Sequence, residues 1–95
     1  MLQRATRLPV RVLVQVQTPR GVFDATIGNL STSGARLVGV PDRKVAVGDR
    51  IEIRCPEHTH QAEVRWHFDD TCGLSFPTPL DSDQIVAILG SRMLH

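Results

Sequence analysis

The fold class follows from the run Val10-Arg11-Val12-Leu13-Val14-Gln15-Val16-Gln17, in which a valine stands at every second position. Such an alternation of β-branched residues predicts a β-strand that places its four valines on one buried face. The next residues are Thr18-Pro19-Arg20-Gly21, with proline second and glycine fourth, which is typical of a type I turn. The chain is therefore expected to turn directly into a second strand.

Working outward from this stretch, the pattern predicts an all-β domain that ends in a helix. Five more short strands are expected at near-regular spacing, over residues 22–28, 35–40, 50–54, 61–68 and 72–76. After Pro79 the period becomes helical, with Asp81 or Ser82 as the cap. The helical stripe comprises Ile85, Val86, Ile88, Leu89 and Met93. We predict a small six-stranded antiparallel β-barrel, with the helix covering one open end or flank.

The length and the charge distribution indicate one domain with a basic amino end. Ninety-five residues suit a single domain, divided into a flexible arginine-rich arm (1–9), a barrel (10–78) and a helix (81–94). Arg4, Arg7, Arg11 and Arg20 all precede the first carboxylate, Asp24. The net charge of +1 nevertheless argues against a general binder of nucleic-acid polymers or membrane surfaces.

No apolar stretch is long enough to span a bilayer, so we expect no membrane insertion. Gln3, Arg4 and Arg7 interrupt any signal-peptide core at the amino end, which predicts a cytoplasmic protein. The two cysteines, Cys55 and Cys72, are expected to be reduced thiols.

Catalytic and metal patterns are weak. Ser31, His67 and Asp70 supply the residue types of a hydrolase triad, but no nucleophile elbow accompanies them. We therefore expect no catalytic residues. Cys55, His58 and His60 form a C-x-x-H-x-H run that is not a typical zinc spacing. We expect a solvated hairpin tip there, with no metal and no cofactor.

The hexapeptide Asn29-Leu30-Ser31-Thr32-Ser33-Gly34 is the strongest functional signal. It combines an amide, a hydroxyl and a glycine downstream of a cluster of guanidinium groups. An amide and a hydroxyl that face arginines suit a ligand that is both planar and anionic, which favours a nucleotide.

Together with later motifs, this hexapeptide resembles the PilZ domain family. The matching segments are residues 29–37, reading Asn-Leu-Ser-Thr-Ser-Gly-Ala-Arg-Leu, then Val64-Arg65-Trp66, then Gly73-Leu74-Ser75-Phe76. The resemblance covers essentially the whole chain. It implies a PilZ-type barrel of six strands with a carboxy-terminal helix, acting as a receptor for the bacterial second messenger cyclic di-GMP.

The family's R-x-x-x-R element departs from its pattern here. By its distance to Asn29, the second arginine matches Arg7, which leaves Gln3 at the first position with Arg4 next to it. Arg7 and Arg11 satisfy the spacing literally, but Arg11 would then lie inside the first strand.

The resemblance implies a role for each site residue. Arg4 and Arg7 would bind phosphate and stack on purines, closing over the ligand as an order–disorder switch. Asn29 would contact a guanine edge, and Ser31 would add a hydroxyl contact. Gly34 would turn the backbone tightly against the ligand. Further possible contacts are Gln3, Arg11 and Trp66, although Trp66 also fits a core or rim aromatic.

Three functions follow as hypotheses. The first is a cyclic di-GMP receptor that signals to an unidentified effector protein, in motility, secretion or polysaccharide control. The second is a degenerate PilZ domain that binds no nucleotide and acts as a protein-interaction adaptor, because Gln3 replaces an arginine. The third is a binder of single-stranded nucleic acid, which would need its aromatic residues in a basic groove; these are Phe23, Trp66, Phe68 and Phe76.

Overall fold

The structure, a computed structural model, describes residues 8–56 and 58–91. Its elements follow the predicted order. They are β1 (Leu8–Thr18), β2 (Gly21–Leu30), β3 (Gly34–Val38), β4 (Arg50–Arg54), β5 (Thr59–Phe68), β6 (Thr71–Ser75) and α1 (Ser82–Ser91). The described part of the chain contains no helix long and apolar enough to cross a bilayer.

The six strands form one closed antiparallel barrel. Its strand order is β1-β2-β3-β6-β5-β4, and β4 closes the barrel by pairing with β1. The sequence prediction of a six-stranded antiparallel barrel followed by a helix is confirmed. Closure leaves every strand with a neighbour on each side over part of its length, which removes the exposed edges that a flat sheet would present.

The alternation in β1 places its valines as predicted. Val12, Val14 and Val16 are buried inside the barrel, and Val10 packs against the core from the end of the strand. The same face of β2 contributes Ala25 and Ile27 to the interior. The barrel interior is therefore the core, filled by small and branched side chains as in other small barrels.

The end of β3 differs from its predicted position. We expected the strand to continue to residue 40, but it ends at Val38. Gly39 has a φ of +83°, a left-handed conformation that leaves the strand direction. Val40 is then held by a hydrogen bond from its N–H to the carbonyl of Asp70, 2.8 Å away.

The helix begins with a reciprocal cap. The backbone N–H of Gln84 donates to Oδ1 of Asp81, and the backbone N–H of Asp81 donates to Oε1 of Gln84. Ile88 is fully buried, and Ile85 and Leu89 pack against the core. The prediction that Val86 belongs to the same stripe was wrong, because three-to-four-residue spacing turns this side chain towards solvent.

Candidate ligand-binding site

The hexapeptide forms the tight connection between β2 and β3. The backbone N–H of Ser31 donates to the carbonyl of Gly34 across 2.9 Å. The Ser31 side chain is buried, and its Oγ accepts hydrogen bonds from the N–H groups of Ser33 (3.3 Å) and Gly34 (3.2 Å). Its own hydroxyl lies 3.3 Å from the Gly34 carbonyl as a donor. The hydroxyl that we expected to contact the ligand thus makes its hydrogen bonds within the turn.

This turn is also attached to the segment that leads into α1. The N–H of Phe76 donates to the Ser33 carbonyl (2.9 Å), and the N–H of Leu80 donates to the Thr32 carbonyl (2.8 Å). Phe76 and Leu80 are themselves buried in the core. The turn therefore cannot shift without disturbing the approach to the helix.

Glycine is required at position 34 for a different reason than the predicted one. A Cβ at this position would overlap the backbone carbonyl oxygen of Leu74 on β6. Gly34 is also not among the residues with positive φ. The glycine is needed because β3 passes very close to β6 here, and any direct approach to a ligand remains a prediction.

A row of residues crosses the outer face of the barrel from the motif to the tryptophan. Asn29 pairs with Arg36, Arg36 with Gly73, and Gly73 with Trp66. Directly opposed residues point to the same face of a sheet, and adjacent strands lie about 4.8 Å apart. On the other side of Asn29 the row continues to Pro9 on β1. The family motifs are thus brought together by strand register rather than by sequence proximity.

Trp66 is a rim residue rather than a core residue. Its side chain is 43% exposed, and its indole covers Gly73, where an added Cβ would overlap the ring nitrogen and its carbon neighbours. Gly73 is buried beneath this ring. The motif spacing V-x-W followed by G-x-x-F therefore has a packing basis, since the glycine makes room for the indole.

A depression of about 490 Å³ lies beside this indole. Such a volume falls within the range of about 300–1,000 Å³ that is typical of ligand pockets. It brings the turn of the hexapeptide together with Trp66, across β3, β6 and β5. Its lining comprises Ser33, Gly34, Ala35, Arg65, Trp66, Gly73, Leu74 and Ser75.

Of the predicted residues that the structure describes, Asn29, Ser31 and Arg11 do not line this depression. Gln3, Arg4 and Arg7 lie outside the described residues. Arg11 is exposed on β1, which is separated from β6 by β2 and β3. Leu8 pairs with Leu30, so β1 begins at the end of the barrel where the hexapeptide turn lies.

Two arginines at this face were missed by the sequence analysis. Arg36 is exposed in the row described above, and its guanidinium extends towards Gly28 on β2. Arg65 lines the depression directly. The signal for Arg36 was available, because it alternates with the buried Ala35 and Leu37. Arg65 could not be placed in this way, because the strand pairing is irregular there.

The structure does not bring together the residues of the hydrolase triad pattern or of the zinc-like pattern. Ser31 lies at one end of the barrel, whereas Asp70 is in the β5–β6 turn at the opposite end of β6. Among the described residues there is no group of three or more side chains placed to hold a metal ion. His58 and His60 approach with ring centroids 6.1 Å apart. Burial, with a smaller effect of His58, lowers the pKa of His60.

A second depression, of about 450 Å³, lies between β5 and the segment before α1, and His60, Leu80 and Gln84 contribute to its walls. It contains none of the predicted site residues. The depression beside Trp66 is therefore the better candidate, since it alone of the two includes the hexapeptide.

Comparisons with known proteins agree with this fold. The family model described as PilZ domain matches residues 2–91. The fold is similar to the PilZ domain of CeSA from a cellulose-synthesizing bacterium, with 17% identity and a TM-score of 0.68 over 93% of this chain and 99% of that one. It is also similar to the inhibitor of motility MotI/DgrA of Bacillus subtilis, with 25% identity and a TM-score of 0.65. That alignment covers 98% of this chain and 50% of the other. No curated protein matches the chain by sequence.

Proposed function

The chain belongs to the PilZ domain family, and from this premise we propose that it is a non-enzymatic receptor for cyclic di-GMP. PilZ domains are generally receptors for this dinucleotide. The observation that carries the proposal is the depression in which the hexapeptide turn, through Ser33 and Gly34, meets the exposed indole of Trp66. We place this receptor in the cytoplasm.

The chemistry of the depression suits a purine dinucleotide. Small residues (glycine, serine and alanine) form much of its lining, so a flat base is able to approach the strands closely. The half-exposed indole offers a wall on which a guanine stacks. The two phosphates require guanidinium groups, and Arg4 and Arg7 supply them in this proposal.

The route of the signal follows from the bonds of the turn. A ligand held against Ser33 and Gly34 acts on a segment that is hydrogen-bonded to Phe76 and Leu80. Leu80 directly precedes the capped start of α1. We propose that closure of the arm and small shifts at this end of the barrel present a new surface to an effector protein.

Isothermal titration of the domain with cyclic di-GMP tests the receptor function. We expect saturable binding, with a change in the fluorescence of Trp66, the single tryptophan. Arg7→Ala removes a charge-assisted contact and is expected to weaken binding by about 10- to 100-fold. Arg43→Ala is the matched control, because Arg43 is exposed in the loop after β3. The carbonyl of the next residue, Lys44, accepts a hydrogen bond from Thr18, which lies at the end of β1 opposite the hexapeptide turn.

Absence of heat and of any fluorescence change at high micromolar cyclic di-GMP would contradict the receptor function. Equal weakening by Arg7→Ala and Arg43→Ala would show that general charge rather than a site attracts the ligand.

The second candidate is a nucleotide-independent adaptor. Two observations favour it: Gln3 stands where the family has an arginine, and Phe68 is 71% exposed on the same strand as Trp66. An exposed aromatic of this size is a common anchor in protein interfaces. Recovery of the same partner with and without cyclic di-GMP would support the adaptor, whereas recovery only with the dinucleotide would support the receptor.

A further inference from the structure

We propose that Arg65 is a ligand-binding residue that supplies a guanidinium to a phosphate of the dinucleotide in the depression beside Trp66. This inference rests on the proposed receptor function and assigns a contact that the hexapeptide and the amino-terminal arginines do not provide. Arg65 would also supply a positive charge to a chain that has glutamine, and not the family's arginine, at position 3.

The position of Arg65 results from an irregularity in β5. Val64 pairs with Leu74 and Trp66 pairs with Gly73, so the register shifts between them and Arg65 is the extra residue of a β-bulge. A bulge redirects its side chains and bends the strand locally, and bulges are common beside functional sites. Here the bulge allows two consecutive residues, Arg65 and Trp66, to border the same depression.

The guanidinium of Arg65 is available for a ligand. Its side chain is 62% exposed, and its ion-pair partner is Glu63, with Nη1 and Oε2 at 3.8 Å. A pair this long and this exposed is weak. Arg54, by comparison, bonds to both Glu52 and Gln17. Arg65 is thus able to leave Glu63 for a stronger anion without loss of a buried contact.

The positive charge in the depression favours an anionic group on the ligand. Among the described residues that line it, Arg65 is the only one with a charged side chain. The others are glycine, serine, alanine, leucine and tryptophan, and the carboxylate that pairs weakly with Arg65, that of Glu63, is not part of the lining. An anionic group with paired oxygens matches the planar fork of arginine, and a phosphate beside a stacked base provides such a group.

The test compares Arg65→Gln with Arg43→Gln, which loses the same charge in the loop at the far end of the barrel. Titration with cyclic di-GMP is expected to show binding weakened by about 10- to 100-fold in R65Q and unchanged in R43Q. Arg65→Lys should retain part of the affinity, because it keeps the charge and loses the fork. Urea unfolding of each variant confirms that the barrel is intact, since both side chains are exposed.

Glu63→Gln provides an independent test, because its effect on affinity depends on Arg65 only if Arg65 contacts the ligand. Releasing Arg65 from its carboxylate should tighten binding in the wild-type background and have no effect in R65Q. An equal effect of E63Q in both backgrounds would overturn the proposal, as would affinity of R65Q within about twofold of wild type, a difference under about 0.5 kcal/mol. If wild-type protein binds no dinucleotide at all, the receptor function fails together with this contact.

Discussion

At the scale of single residues, the buried hydroxyl of Ser31 organises the turn that the ligand is proposed to meet. Its Oγ accepts from two backbone N–H groups, those of Ser33 and Gly34, and shares a further contact of 3.4 Å with the Ser33 hydroxyl. A residue that is 2% exposed has no surface left with which to approach a ligand without rearrangement. In the proposed receptor its contribution to binding is therefore expected to be indirect, through the position of Ser33 and Gly34 at the edge of the depression.

Replacement of this hydroxyl tests that role. Ser31→Ala leaves the N–H groups of Ser33 and Gly34 without this acceptor, and the unsatisfied buried donor of Gly34 costs about 1–3 kcal/mol. We expect the free energy of unfolding in urea to fall by that amount in the absence of any ligand. Thr32→Ala is the control, because Thr32 is exposed in the same turn and its backbone carbonyl contact is retained. Equal stability of the two variants would contradict this structural role of Ser31.

Residue identity located the candidate site only in part. Asn29 and Trp66 were recognised from their motifs, and strand register places both in one row across the outer face. The packing reason for Gly34 was not accessible, since it depends on the carbonyl of Leu74, which is far away in sequence. Arg65 was missed because a bulge breaks the period of two on which the face of a strand is assigned.

At the scale of elements, periodicity was sufficient for the order of strands and helix but not for their ends. β4 was predicted with its observed bounds, Arg50–Arg54, because its alternation is uninterrupted. β5 begins earlier than expected, at Thr59, since it is paired there with Arg54. The β3 boundary depended on the left-handed Gly39. Ends are thus fixed by partners and by backbone conformation, which the local pattern does not contain.

Within α1, Gly90 has the lowest helix propensity, and no contact with the described residues requires a glycine there. Among the described residues, a Cβ added there meets nothing within 4 Å, and the φ of Gly90 is not in the positive range. Gly90→Ala is expected to raise the free energy of unfolding by up to about 1 kcal/mol, because alanine loses less backbone entropy in a helix. Urea unfolding followed by circular dichroism measures the change.

The contrasting variant is Gly34→Ala, which places a Cβ against the backbone of β6 and is expected to destabilise the barrel. A loss of stability in Gly90→Ala would mean that the end of α1 makes a contact that requires glycine.

At the scale of the whole molecule, the closed barrel encloses the core, and the segments of the candidate site lie at one of its ends. Its core extends through all six strands and includes Ile88 of the helix. The hexapeptide turn, the start of β1 beside Leu30 and the segment before α1 all meet at one end of the barrel. A ligand-dependent change is therefore expected at that end and in the helix, while the interior packing stays the same.

The thiol of Cys72 reports whether the interior opens. Cys72 is fully buried, and burial raises the pKa of its thiol to about 11, above the usual 9.0. The reactive species is the thiolate, so at pH 8 Cys72 should react with iodoacetamide only through unfolding of the barrel. Cys55 is half-buried in the β4–β5 connection and is the internal control, although burial also raises the pKa of its thiol. Mass spectrometry should find Cys55 modified first and Cys72 modified at a rate that rises with urea.

The raised pKa of the Cys72 thiol also determines the direction in which stability changes with pH. A thiol whose pKa is higher in the folded state contributes stability below pH 9 and loses it progressively as the pH rises from 9 to 11. Cys72→Ala removes this ionisation. Its free energy of unfolding should be lower than that of the wild type because of the smaller side chain, but it should fall less steeply above pH 9. Parallel slopes in the wild type and Cys72→Ala would contradict the raised pKa of the Cys72 thiol.

Cyclic di-GMP should slow the modification of Cys72 if it binds the folded barrel, because ligand binding lowers the population that unfolds. Rapid modification of Cys72 without urea would show that the barrel opens locally at β6, contrary to the expectation that its interior packing stays the same.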